Sequence, residues 1–219
     1  MKIFKSLIYY VSSIPTIFLN MNFWIIPLIL FKKPVLICLK NGMRFFVDDL
    51  MSIWTIKEVV LDDNYKVGGD NLDLVIDIGA SIGDFSVLVG KNAKKVYSYE
   101  SSSDCYQLLK RNLMLNNSVN VEISNTVVNS LDPIFESNKI NGCDLVKIDC
   151  EGAEYGIFKN TSEKNLKRIK RISMEIHLFN KSQVKQYFSL KQRLEYLGFK
   201  LNRVYNPVHD YLKFLYARR

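Results

Sequence analysis

Histidine is scarce in this chain, with only His177 and His209 among 219 residues, and the four cysteines form no Cys-x-x-Cys pair. A structural zinc site needs several such ligands at short spacing, so that class is excluded, as is a secreted disulfide framework. The cysteine usage reads as that of a reducing, cytoplasmic setting. Acidic residues are missing from residues 1 to 47, which carry Lys2, Lys5, Lys32, Lys33, Lys40 and Arg44. There is no internal repeat, low-complexity tract or arginine-rich run, and basic residues are not interleaved with aromatics, so nucleic acid is not an expected partner despite the net charge of +8. From Ser6 to Phe31 no residue is charged. That length would suit a membrane span, but Pro15 and Pro27 interrupt it and Asn20 and Asn22 place amides near its middle. It also lacks the small-residue cleavage site of a signal peptide.

Within that stretch Ile3, Leu7, Val11 and Ile14 recur at helical spacing and mark one face of a short amphipathic helix. The expectation is a cap packed on the domain, with peripheral membrane contact through residues 1–35 as an alternative on the cytosolic face. After it, "PVLICLKNGMRFFVDD" reads as a hairpin turning at Asn41-Gly42. Residues 51–61 read as a helix and 62–70, with Gly68-Gly69, as a polar connection. From there strand and helix alternate: strands at "LDLVIDIGA", "KVYSYE", "NVEIS", "DLVKID" and "RISMEIH", and helices at 84–91, 103–116, 132–138, 152–159 and 181–197. The end, "FKLNRVY" and "DYLKFLYAR" joined by Asn206-Pro207, reads as an antiparallel pair. Alternation of this kind predicts an α/β fold, a mostly parallel sheet with helices on both faces and an antiparallel last strand. Two units are expected: an apolar, basic cap over 1–66 and a ligand-binding domain over 67–219.

"VIDIGASIGDF" falls where the first parallel strand meets its helix. Gly79 and Gly83 allow a tight turn and close approach of a ligand, and Asp77, Ala80 and Ser81 complete the loop. Glu100, followed by Ser101, ends the next strand, where an acid can accept hydrogen bonds from both hydroxyls of a ribose. A dinucleotide fingerprint needs a second glycine where Ser81 stands, and Asp84 at the helix start would repel a pyrophosphate. A sulfonium nucleoside carries positive charge and no phosphate, so the spacing favours S-adenosylmethionine. A nicotinamide-dependent oxidoreductase is the weaker alternative, and a non-catalytic membrane-docking module with the same fold is another.

The strand ends carry charge where a covered sheet should be apolar. Along "LVKID", Leu145, Lys147 and Asp149 share a face; along "RISMEIH", Ser173, Glu175 and His177 do so. Polar character that strengthens toward the carboxyl ends predicts a cleft there, with Asp149, Glu175 and His177 as candidate catalytic residues. Lys147 and Glu175 are expected to neutralise one another, Glu151 to sit at a helix start, and Glu154 to point to the cleft or to Lys147. Methyl transfer to a hydroxyl needs alignment and removal of a proton, which a strand-tip Asp or His can do. The same residues could hold a divalent metal, and the sequence leaves that choice open.

The motifs "VIDIGASIGDFSVLV", "VYSYE", "LVKIDCEGAE" and "MEIH" resemble the FkbM family of S-adenosylmethionine-dependent methyltransferases, over roughly residues 36–180. The resemblance implies a Rossmann-like seven-stranded sheet and O-methylation of a sugar, glycan or other small hydroxylated metabolite. Ser81 stands where that family usually has Asn, and Thr126 where a small Ala is usual. Oligomeric state has no sequence signal.

Overall fold

The computed structural model describes residues 2–67, 69, 71–206 and 208–219, with side chains from residue 8 onward. The side chains of Ile3 and Leu7, and the residues Gly68 and Pro207, lie outside that description. The chain opens with α1 (Lys2–Asn20), which runs unbroken past Pro15, and a 3-10 segment (Phe23–Leu30). A two-stranded hairpin, β1 (Val35–Cys38) and β2 (Arg44–Val47), follows. Its turn is longer than the two-residue Asn-Gly reading, because the Leu39 N–H bonds the Met43 carbonyl and leaves three residues between them. Gly42 closes it at φ 86°, the left-handed position that such a loop assigns to glycine. Then come α2 (Leu50–Ile56), capped by the Asp49 carboxylate on the Ser52 N–H, and a π turn (Lys57–Leu61).

The main sheet is built from β3 (Leu72–Ile78), β4 (Ala93–Glu100), β5 (Val121–Asn125), β6 (Cys143–Ile148), β7 (Ile169–His177), β8 (Lys200–Tyr205) and β9 (Leu212–Arg218). Its seven strands lie in the order β5-β4-β3-β6-β7-β9-β8, and β9 runs antiparallel to both neighbours. The crossovers are α3 (Asp84–Gly90), α4 (Ser103–Leu115), α5 (Asp132–Ser137), α6 (Glu154–Asn160), α7 (Glu163–Leu166) and α8 (Lys181–Tyr196). The short α7 has no periodicity to announce it. The strand order reverses between β3 and β6, which places the ligand crevice beyond their carboxyl ends.

Alternate residues of each strand enter separate cores. Ile76, Ile78, Val146, Ile148 and Ile172 pack under α5, α6 and α8. Val75, Val96, Leu145 and Phe214 pack with α3, α4 and the N-terminal layer, in a cluster that reaches Met21 and Ile29. Part of the N-terminal layer, including Met21, Ile29, Ile37 and Phe45, therefore shares the core of the main sheet.

Asn112 of α4 joins the layers. Fully buried, it accepts the Phe46 N–H at 2.6 Å and donates to the carbonyls of Phe46 at 3.1 Å and Ile82 at 2.9 Å. One side chain thus ties the hairpin to the glycine loop. Asn112→Ala would strand these backbone groups away from water, at a cost of about 2–4 kcal/mol. Urea unfolding should show a midpoint lowered accordingly with an unchanged slope; an unchanged midpoint would mean the two layers are not coupled through Asn112.

Candidate active site

The glycine loop leaves β3 in a run of left-handed turns: Gly79 at φ 76°, Ser81 at 48° and Gly83 at 88°. A Cβ on Gly79 would lie 1.8 Å from the Asp149 carbonyl oxygen, so this loop and the end of β6 cross in direct contact. Ser81 holds a backbone conformation that Asn tolerates better. Glu100, 8% exposed, clamps the loop: Oε2 accepts the Ser81 N–H at 2.8 Å and Oε1 the Ser102 N–H at 2.7 Å. A carboxylate has about four lone-pair sites, so it retains capacity for ribose hydroxyls. Gly79, Ser81 and Ser101 reach solvent, whereas Asp77, Ala80 and Gly83 are buried beneath them. Asp84 at the start of α3 is buried too, with Oδ2 unpartnered among the described residues. Burial raises its carboxyl to about 6, with Lys147 opposing. These acids suit a cationic nucleoside and would repel a pyrophosphate.

The charged strand interior is an ion pair, though not the expected one. Lys147 Nζ lies 3.2 Å from Asp77 Oδ1 and donates to the Gly79 carbonyl at 2.6 Å. The parallel register sets Asp77 opposite Lys147, while Glu175 lies opposite Phe214, which is why Lys147 pairs with Asp77 and not Glu175. Burial alone would lower the lysine's pKa; Asp77, Asp149 and Asp84 outweigh it and keep the ammonium charged. Asp77 also accepts from Ser86 Oγ at 2.6 Å, so it supports the loop from below.

Beyond this pair, Asp149, Glu175 and His177 bring one donor atom each within 4.8 Å of one another. Asp149 Oδ2 accepts from Tyr65 Oη at 2.9 Å, and its Oδ1 lies 3.9 Å from His177 Nε2. Glu154 is fully buried and points neither to the cleft nor to Lys147. Its Oε1 accepts the His177 N–H at 3.0 Å and lies 3.3 Å from Nδ1, and its Oε2 accepts the Gly152 N–H at 2.8 Å. His177 is thereby fixed with Nε2 toward the cleft. Glu151 is not at a helix start: α6 begins at Glu154, and Glu151 sits in a left-handed turn at φ 51°, 3.5 Å from His177 Nε2. Burial lowers the imidazole, but the Glu154 hydrogen bond and the surrounding carboxylates prevail and raise it to about 9. Burial and then Asp149 push Glu175 up to about 8.

These groups open into a cavity of about 340 Å³. Residues without a sequence signal build its other wall: Tyr65 from the polar connection, Glu58 from the π turn, Trp54 from α2 and Tyr10 from α1. Glu58 accepts from Tyr9 Oη at 2.7 Å and Trp54 Nε1 at 3.0 Å, which locks the N-terminal helix onto the pocket wall.

The fold is the class I S-adenosylmethionine-dependent methyltransferase architecture. Among solved structures with the fold, a protein assigned as a methyltransferase from Streptococcus mutans, in complex with SAH, superposes with a TM-score of 0.54 at 15% identity, covering 73% of this chain and 95% of that one. An rRNA methylase from Streptococcus thermophilus does so at 0.52 and 17%, covering 77% and 94%. The ribosomal protein L11 methylase from Lactobacillus delbrueckii subsp. bulgaricus follows at 0.52 and 13%, covering 75% and 79%. No curated protein matches the sequence. The methyltransferase FkbM domain matches residues 117–201. Residues 117–201 are thus similar to the methyltransferase FkbM domain, and the chain is an S-adenosylmethionine-dependent methyltransferase.

Two outcomes follow. Gly79→Ala forces a Cβ into the Asp149 carbonyl at a positive φ, so S-adenosylhomocysteine binding should fall by at least about 10²-fold, read by calorimetry on protein that remains folded; unaltered affinity would show that the crossing is dispensable. The second concerns pH. Glu175 and His177 both hold protons more tightly when folded, Glu175 from an ordinary 4.5 to about 8 and His177 from 6.5 to about 9. Their stabilising contribution is complete below the unfolded values and disappears as pH climbs through the folded ones. In chelator, the melting temperature should therefore fall from pH 6 to pH 9, less steeply in Glu175→Gln. A melting temperature that rises over that window would contradict the assignment.

Proposed function

We propose that the protein transfers the methyl group of S-adenosylmethionine to a hydroxyl of a sugar, glycan or other small metabolite held in the cavity between the strand ends and the N-terminal layer. The observation that carries this reading is the convergence of Asp149, Glu175 and His177 beside the glycine loop, in a space of about 340 Å³ that suits a small polar acceptor. Glu100 would hold the ribose hydroxyls, Ser101 and Ser81 lie along the same open edge, and the carboxylates suit the cofactor's positive charge. The cofactor supplies an activated methyl with a neutral leaving group. What remains for the protein is to align the acceptor oxygen and take its proton.

Glu175, near 8, is matched to neutral pH as a proton acceptor. Asp149, steadied by Tyr65, orients the acceptor hydroxyl through its other oxygen. His177, held by Glu154, keeps a positive charge beside the carboxylates and donates toward the acceptor. The same three residues have the oxygen and nitrogen donors a divalent cation prefers, and bound there it would polarise the hydroxyl. Asp149→Asn and His177→Ala should each lower turnover by about 10²-fold with cofactor affinity changed only a few fold, measured with labelled methyl donor on acceptors drawn from cell extract. Turnover unchanged in both variants would remove these residues from the chemistry. Activity abolished by EDTA and restored by magnesium would assign the trio to a metal; activity indifferent to both would leave it to proton transfer.

A further inference from the structure

Over its described side chains, residues 8–20, helix α1 is turned inside out. Toward the protein it presents Tyr9, Ser13, Thr16 and Asn20, with Ile17 the apolar member of that face among them. Outward it presents Ile8, Val11, Ile14, Phe18 and Leu19, each between 47% and 60% exposed. A helix on a globular protein in water buries its apolar stripe, and the reverse order is favourable only against an apolar medium. The stripe does not stop at α1. Phe18 stacks on Phe23 at 3.8 Å, Phe23 meets Trp24, and Trp24, Leu30 and Phe31 are 71%, 72% and 86% exposed. Directly after Phe31 come the exposed Lys32 and Lys33, then exposed Lys40, and no acid precedes Asp48.

No helix among the described residues is long and apolar enough to cross a membrane. An outward stripe with Trp and Phe, bordered by lysines and free of acids, suits the boundary between headgroups and acyl chains of an anionic bilayer. We propose that α1 and the 3-10 segment dock this methyltransferase peripherally on anionic lipid, apolar stripe inserted and Lys32, Lys33 and Lys40 on the headgroups. The pocket borders this helix. Tyr10 flanks the stripe on α1 and lines the cavity, as do the exposed Met51, Phe179 and Tyr211. The acceptor at that mouth is then an amphiphile with a hydroxylated headgroup and a lipid tail. This second part rests on the pocket being the acceptor site; the docking does not.

Co-sedimentation of the full chain with vesicles tests it. The protein should pellet with equimolar phosphatidylcholine and phosphatidylglycerol, and about tenfold less with phosphatidylcholine alone or in high salt. The combined Phe18→Ser, Trp24→Ser and Phe31→Ser substitutions should lower binding by at least about tenfold, while circular dichroism and S-adenosylhomocysteine affinity stay unchanged. Lys32→Glu with Lys33→Glu should erase the preference for anionic vesicles. Folded, cofactor-binding wild type that remains in the supernatant with both vesicles overturns the proposal. So does a wild-type dimer in light scattering that the triple substitution makes monomeric, since a second copy would then cover the stripe. Protein that pellets as expected yet binds no cofactor would refute the reading of the glycine loop and leave the docking standing.

Discussion

A buried cation, Lys147, is the interaction on which the site depends. It lies within the sheet, 3.2 Å from Asp77, 2.6 Å from the Gly79 carbonyl, and over the rings of Tyr65 and Phe85 at 5.3 and 5.7 Å. Asp77, Asp84 and Asp149 all act on it. An isolated charge at this depth would be expelled or neutralised, and removing one partner of such a pair costs about 3–5 kcal/mol. Held together, the group fixes the carbonyl of the first loop glycine and lets carboxylates stand at the rim of the crevice beyond the strand ends. The charges that look out of place in "KIDCEGAE" are therefore one assembly: Lys147 faces inward to the loop, Asp149 faces the cavity, and Glu154 turns back to orient His177.

Two strained turns meet above that cation. The loop after β3 carries left-handed residues at 79, 81 and 83, and the turn after β6 carries them at Glu151 and Gly152. They touch where Gly79 passes the Asp149 carbonyl. Strain of this kind persists only where its surroundings over-determine it, and here the clamps are visible: Glu100 on Ser81, Lys147 on Gly79, Glu154 on Gly152. The N-terminal layer then closes the remaining side through Tyr65, Trp54 and Tyr10. Lys57, buried under the rings of Tyr9 and Trp54 and paired with Asp62 at 2.6 Å, anchors that wall.

Much of this was legible because the signals are local. The strand–helix alternation, the glycine spacing and the acid at the end of the second strand each occupy a few consecutive residues, and β-period 2 puts Asp149, Glu175 and His177 on polar faces by arithmetic. What was not legible depends on pairing between distant segments. Lys147 could be seen to need a partner, but only the β3–β6 register shows that Asp77 is opposite it. Tyr65 lies in a connection without periodicity, yet it reaches across 84 positions of sequence to Asp149. For α1, spacing predicted an apolar face on a helix packed as a cap; the helix does pack on the domain, but not through the described residues of that face. Val11 and Ile14 point out, because Tyr9 and Ser13 face the protein and Tyr9 Oη bonds Glu58 in place of apolar packing.

Isothermal titration of S-adenosylhomocysteine into the folded wild-type chain and into Glu100→Ala bears most directly on the claim that the clamped loop cradles the cofactor. Saturable one-site binding that weakens by about 10²-fold on loss of the carboxylate, the scale of two charge-assisted hydrogen bonds, is the predicted result. Folded wild-type protein that releases no heat, or a Glu100→Ala variant that binds as tightly as the wild type, would contradict it.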